Sequence, residues 1–228
     1  SLIDQSGKPR PFYAEVKRIA TEFAHTSELI TGSQVKARVA ILNDYESRWA
    51  INWQRHHEHF DYVEHLLSYY RPIAANNVMV DIVSADSPLN GYKLVIAPST
   101  LILDEQRANN IKAHVEHGGY LIITLRTGVK DRDNSYLPSR PPGPLTGIAG
   151  IEVLEGYALD QDVPVKGNWF SGMSRQWADL LNATDVNITI PAARYENSNG
   201  WLDGQTAISV HGYRSGLVYY VGTYLDEN

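Results

Sequence analysis

Four short runs of nearly unbroken apolar residues constrain the fold more than any other feature: VKARVAIL (Val35–Leu42), VMVDIV (Val78–Val83), KLVIAP (Lys93–Pro98) and YLIITL (Tyr120–Leu125). A strand with one wet face alternates apolar and polar residues, whereas a strand covered on both faces stays apolar throughout. Segments of helical period separate the runs. From Pro11 to Ile30 the residues Phe12, Val16, Ile19, Ala20 and Phe23 recur at three- and four-residue steps, which predicts a helix with one buried stripe. A second helix is predicted from Trp49 to Tyr70 through Trp53, His57, Phe60, Val63 and Leu67, with Pro72 as its stop. Asp104 caps a third, which Gly118 and Gly119 end.

Strands and helices alternating at this spacing predict right-handed crossovers and an α/β fold of three layers, a mostly parallel sheet with helices on both faces. The expected core is flavodoxin-like and covers about residues 35–130. Composition shifts at YLPSRPPGPLTGIAGIEVLEG. Beyond it VNITI, TAISVHGY and GLVYYVGT read as antiparallel strands, the last two joined through YRSG, so a β-rich C-terminal extension completes the domain.

Composition removes several function classes. The formal net charge is -6 and no stretch gathers the Lys and Arg of a phosphate-binding stripe, which argues against a nucleic-acid partner. No apolar run approaches the roughly 20 residues of a membrane span. With no cysteine, disulfides, thiolate metal sites and a cysteine nucleophile are all excluded, and a cytoplasmic location is the expectation.

Ligands of open parallel sheets sit beyond the carboxyl ends of the strands. The candidate crevice or interface residues are therefore Asn43, Asp44, Tyr45, Arg48 and Trp49 after the first strand, Ser99 after the third, and Arg126, Thr127 and Asp131 after the fourth. The loop NDYESRW lacks the glycines that let backbone N–H groups approach a phosphate, which argues against nucleotides and flavins. Thr127 has no base near it in sequence, and no G-x-S-x-G elbow is present. His57, Asp61 and His65 at four-residue steps would share a helix face suited to a metal, but H-E-x-x-H is absent. His57 also falls on the apolar stripe, and the bland reading of a core or interface histidine is preferred. No catalytic constellation, metal site or cofactor is assigned.

In order along the chain, GKPRPFYAEVKRIATEF, VAILNDYESRWAIN, GYKLVIAPSTLIL, HVEHGGYLIITLRTGVKDRDN, PPGPLTGIAGIEVLEGY and the closing GLVYYVGTYLD resemble the middle region of glycoside hydrolase family 42 β-galactosidases. The resemblance implies a class I glutamine amidotransferase-like domain over 35–228 that helps build a homotrimer. It makes residues 1–34 the tail of a missing (β/α)8 barrel and the chain a piece of a larger enzyme. That enzyme would hydrolyse terminal non-reducing β-D-galactosides with retention, using two glutamates of the barrel that are not present here. Amidotransferase activity is unsupported without a cysteine. The loop from Arg126 to Asn134 is then expected to order an interface or to border a neighbour's galactoside cavity. Two other readings compete. One is a free-standing small-molecule-binding or hydrolytic protein with a pocket of Asn43, Asp44, Ser99, Arg126 and Thr127; the other is a carbohydrate-binding module that uses its five Trp and fourteen Tyr.

Overall fold

The computed structural model describes residues 1–197 and 200–225. The chain divides into two units, Ser1–Lys36 and Ala37–Asn228. In the first, Asp4 closes a turn by accepting from the Ser6 and Lys8 N–H groups, and helix α1 follows over Tyr13–Ile30. The sequence predicts a buried stripe on this helix, yet none of its residues is buried, and Phe12, Val16, Ile19 and Phe23 are exposed.

The second unit opens with β1 (Val39–Leu42), α2 (Tyr45–Trp53) and α3 (Tyr62–Ala75). The single long helix expected over 49–70 is thus two helices. Asp61 is the cause, since its carboxylate accepts from the N–H groups of Val63 and Glu64 and starts α3 afresh, while His56 bends the chain with φ +66. Pro72 does not stop α3, which continues to Ala75. Only its last turn lies beyond the proline, so a single intrahelical bond is lost. There follow β2 (Val80–Val83), β3 (Leu94–Ala97), α4 (Glu105–Glu116) and β4 (Tyr120–Thr124). Strands β2, β1, β3 and β4 pair in that order, all parallel. Val39 and Ile41 join the core beneath α2 and α3, whereas Ala40 and Leu42 join the core beneath α4. Both faces of β1 are therefore covered, as its unbroken apolar character requires, whereas the edge strand β2 leaves Ile82 51% exposed.

The remainder is short helix α5 (Thr146–Ala149) and strands β5 (Ile151–Ala158), β6 (Val163–Gly167), β7 (Ser171–Ala183), β8 (Thr189–Tyr195), β9 (Thr206–Tyr213), β10 (Gly216–Val221) and β11 (Thr223–Leu225). The two-residue turn of Arg214 and Ser215 joins β9 to β10 as expected, and β10 also runs parallel to β4. Among the described residues four strand pairings are parallel and six antiparallel, so the sheet is mixed and the expectation of a mostly parallel one is corrected. Sequence reasoning misses β5, β6 and β7, and of these β7 is the least expected. SGMSRQWADLLNA contains no β-branched residue, and its pairing on both sides rather than local propensity makes it a strand. Because β11 continues β10 past Gly222 and pairs back onto β7, the antiparallel half closes around its own core of Val165, Ala178, Ala193, Tyr195 and Ala207.

Gly150 joins the two halves, ending α5 in the left-handed region at φ +66. A Cβ there would lie 2.3 Å from His211 Nδ1 and 2.4 Å from Thr189 Oγ1, which share a hydrogen bond of 3.0 Å. Gly150→Ala should therefore cost about 2–4 kcal/mol in urea unfolding; a loss within experimental error would contradict the placement.

Candidate functional site

Ion pairs stand in the crevice beyond β1, β2 and β3. Asp44 caps α2 by accepting from the Ser47 N–H at 2.9 Å, and its own N–H donates to Tyr62 Oη. Arg107, from the first turn of α4 and only 5% exposed, reaches into the same space. Its guanidinium stands 3.0 Å from Asp86, 3.2 Å from Glu46 and 3.5 Å from Asp44. Arg132, on the loop after β4, pairs with Asp86 at 3.2 Å and with Asp104. The Arg107 hydrogen bonds hold the Asp86 carboxyl below its usual range, against the upward push of partial burial. Each carboxylate that would meet a ligand here already has a cation.

The other candidates are structural in their contacts. Ser99 is buried with φ +41, and its hydroxyl donates to the Leu125 carbonyl. Thr127 is buried against the Ala97 carbonyl, and Asn43 ties β1 to β2 through the Val83 carbonyl. Asp131 accepts from the Asp133 and Ser135 N–H groups and so folds its own loop. Of Asn43, Asp44, Ser99, Arg126 and Thr127, Arg126 lines a cleft, with residues outside this set. On α2, Tyr45, Trp49 and Trp53 lie four residues apart, 57%, 65% and 91% exposed, with half-buried Arg48 beside them. The rings of Tyr45 and Trp49 are 6.0 Å apart, so the helix presents an aromatic stripe to its surroundings.

Arg126 has a different environment. Its φ is +63 and it is 6% exposed. Nη1 donates to the Arg55 carbonyl at 2.8 Å and Nη2 to the Gln54 carbonyl at 2.9 Å, Gln54 being the C-cap residue of α2 and Arg55 the residue after it. The guanidinium lies 5.0 Å from the ring centroids of both Phe60 and Trp177. Burial pushes it down to about 10, which leaves it charged at neutral pH.

Asp179, on β7 and 2% exposed, accepts from Trp177 Nε1 at 2.8 Å and from Tyr220 Oη at 2.9 Å. Burial nevertheless pushes its carboxyl up to about 7. Arg126, Asp179, Trp177 and Tyr220 border a cleft of about 300 Å³. Asp179, Trp177 and Tyr220 are not among the residues expected from sequence. The available signal was an acid set inside QWADLL, where a charge among large apolar residues implies a buried partner.

His65 is also buried, with Nε2 2.9 Å from Thr124 Oγ1, and burial pushes it down to about 3. The His57, Asp61 and His65 helix face does not form, because Asp61 is a cap and His57 lies in the preceding loop. Among the described residues no group of three or more His, Cys, Asp or Glu stands close enough to hold a metal, and no helix is long and apolar enough to cross a membrane.

The two buried groups act oppositely on stability. Asp179 keeps its proton in the folded chain up to about pH 7 but loses it near 3.8 when unfolded, so its contribution is complete at low pH and is lost as pH rises through 7. His65 contributes above its unfolded value of 6.5, and that contribution is lost as pH falls towards 3. Asp179→Asn removes the first effect alone. Its unfolding free energy, relative to the unmodified chain, should rise by about 1.4 kcal/mol per pH unit between about pH 4 and 7. A pH-independent difference in denaturant titrations would contradict this protonation.

The comparisons with known proteins agree with one another. The family profile described as beta-galactosidase trimerisation domain matches residues 37–228. Beta-galactosidase BgaH of Haloferax lucentense is 34% identical over 96% of this chain, and BgaB of a Geobacillus species 32% identical over 95%; in each case the match spans 32% of the relative. The solved beta-galactosidase of Halorubrum lacusprofundi superposes with a TM-score of 0.84 at 31% identity over the whole chain and 33% of its own. That of Rahnella sp. R3 gives 0.83 at 27%, over the whole chain and 34% of its own. The chain thus spans about a third of the length of these relatives. With most of its residues matched to one profile, the chain belongs to the beta-galactosidase trimerisation domain family of glycoside hydrolase family 42.

Proposed function

We propose that this chain is a non-catalytic assembly domain that gathers a β-galactosidase into a homotrimer. The observation that carries the reading is the trimerisation-domain match over 37–228. The surface agrees with it, since Tyr45, Trp49 and Trp53 form an exposed aromatic stripe on a helix whose other side is anchored in the core by Ile51. The occupant of that stripe is a second copy of the chain. Three subunits meeting head to tail close a ring without leaving an unpaired face.

Hydrolysis of terminal β-D-galactosides with retention, the activity proposed for the parent enzyme, needs a nucleophilic carboxylate and an acid on opposite sides of the sugar ring. We assign both to a barrel outside this chain. The exposed stripe of Phe12, Val16, Ile19 and Phe23 suits a helix that packs on such a barrel. The parallel half, with β2, β1, β3, β4 and β10 side by side, follows the flavodoxin-like strand order, and this supports an amidotransferase-like origin. A free-standing enzyme at the strand ends is disfavoured because Arg107 and its carboxylates occupy the crevice. Between the two roles expected of the Arg126 to Asn134 loop, Asp131 and the Lys130 to Asn134 bond favour ordering of the structure over contact with a neighbour's sugar.

Light scattering of the full chain over a dilution series tests the proposal. A mass near 76.5 kDa, three chains of 25.5 kDa, is expected, and Trp49→Ala with Trp53→Ala should reduce it to that of one chain without shifting the unfolding midpoint. A monomer at every concentration, or a trimer indifferent to both substitutions, would contradict it.

A further inference from the structure

The loop of residues 84–93 carries the chain from the carboxyl end of β2 back to the start of β3 without a helix, and its anchors are unevenly spread. Asn110 Nδ2 donates to the Ala85 carbonyl at 3.0 Å and to the Ser87 carbonyl at 2.7 Å. Leu89 is buried and belongs to the core beneath α4. Tyr92 Oη donates to Asp81 at 2.8 Å, and the Lys93 N–H donates to the Arg38 carbonyl at 2.7 Å. Between these anchors Asn90 and Gly91 are exposed, and among the described residues neither makes a hydrogen bond through main chain or side chain. Gly91 has φ +103, a conformation that residues with a Cβ rarely adopt, and beyond its two chain neighbours no atom lies within 4 Å of where a Cβ would stand. The turn therefore requires glycine, and it sets that glycine directly after an asparagine.

This pairing has a chemistry of its own. The main-chain nitrogen that follows an asparagine can attack the side-chain carbonyl carbon, and a Cβ on the following residue or a hydrogen bond that holds either group obstructs the attack. Other asparagines are held in this way. Asn134 Oδ1 accepts from Lys130 Nζ, and the N–H of the following Ser135 donates to Asp131. Asn76 Nδ2 donates to the Pro72 carbonyl, and the N–H of the following Asn77 donates to the Ala74 carbonyl. Asn199, which also precedes a glycine, lies outside the described residues. We infer that Asn90 is a site of spontaneous deamidation and isoaspartate formation in the folded chain, set up by the open Asn90–Gly91 turn between the Leu89 and Tyr92 anchors. Gly91 N gives up its proton and bonds to Asn90 Cγ, the Cγ–Nδ2 bond breaks, and ammonia leaves with a proton in place of that bond, so that a five-membered succinimide remains. Water then opens the ring. Attack at Cγ gives aspartate, and attack at the main-chain carbonyl carbon gives isoaspartate, whose main chain runs through Cβ and Cγ. Only water is consumed. Either product brings a new carboxylate to a cavity of about 680 Å³ that Asn90 lines together with Lys93 and His117, and isoaspartate also lengthens the span between Leu89 and Tyr92.

The reaction needs no second chain, so its outcome is independent of the assembly proposal. Peptide mapping by mass spectrometry tests it on the full chain, held folded at mildly alkaline pH and sampled over weeks, with electron-transfer fragmentation to separate isoaspartate from aspartate. The Asn90 peptide should shift from the mass of an amide to that of an acid before any other described asparagine does, with isoaspartate as the larger product and a slower change at neutral pH. Asn90→Gln, which would have to close a six-membered ring, should show no such shift at this position. If Asn90 is still an amide in the folded chain when the free peptide SPLNGYK has reacted, the fold protects the turn and the inference is overturned. Deamidation of Asn76 or Asn134 ahead of Asn90, or aspartate formed without isoaspartate, would overturn it equally.

Discussion

At the end of β4 one guanidinium ties together parts of the chain that have no common backbone hydrogen bonds. Arg126 closes the carboxyl end of α2 through the Gln54 and Arg55 carbonyls, and its flat faces meet Phe60 ahead of α3 and Trp177 on β7. A positive charge at a helix carboxyl terminus is favourable by its dipole, and rings on either side replace water without presenting a competing proton donor. Burying such a charge is costly unless it is fully partnered, so the surrounding groups have little freedom to move. The strained φ of Arg126 is the local consequence. Through this residue the helical layer over the parallel strands is fixed to the antiparallel half.

At the strand ends, where an α/β fold usually keeps its chemistry, the polar side chains are engaged with one another and with the backbone. The space beyond β1 and β2 is taken by Arg107 with Asp44, Glu46 and Asp86, and the space beyond β3 by the buried hydroxyls of Ser99 and Thr127. Polar residues that look like a site in sequence are spent on holding loops and caps. One cleft lies to the side, between the end of α2, the loop after β4 and the strands β5 and β7, where Gly156 leaves room for Trp177.

The parallel half was legible because its inner strands are covered twice, and an unbroken run as short as VAIL fits a doubly covered strand. The turn through Arg214 was legible from its local chemistry. The break between α2 and α3 was not, since Trp53, His57, Phe60 and Val63 keep helical spacing across it; a cap at Asp61 and a distant arginine decide the matter. Strand β7 was not legible either, because its residues favour a helix and only its neighbours make it a strand. The assembly role was visible through family resemblance, not through chemistry. Of the candidate site residues, Arg126 alone borders the cleft, and its partner strands came from the segment whose structure local propensity misread.

The coupling through Arg126 is tested most directly by native-state hydrogen exchange of Arg126→Met, read by mass spectrometry against the unmodified chain. If this buried charge couples the helical layer to the antiparallel strands, protection should fall together, and by the same free energy, in α2 and in β7, which are separated by more than a hundred residues of sequence. A loss confined to the loop around residue 126, with α2 and β7 exchanging as before, would show that Arg126 does not couple them.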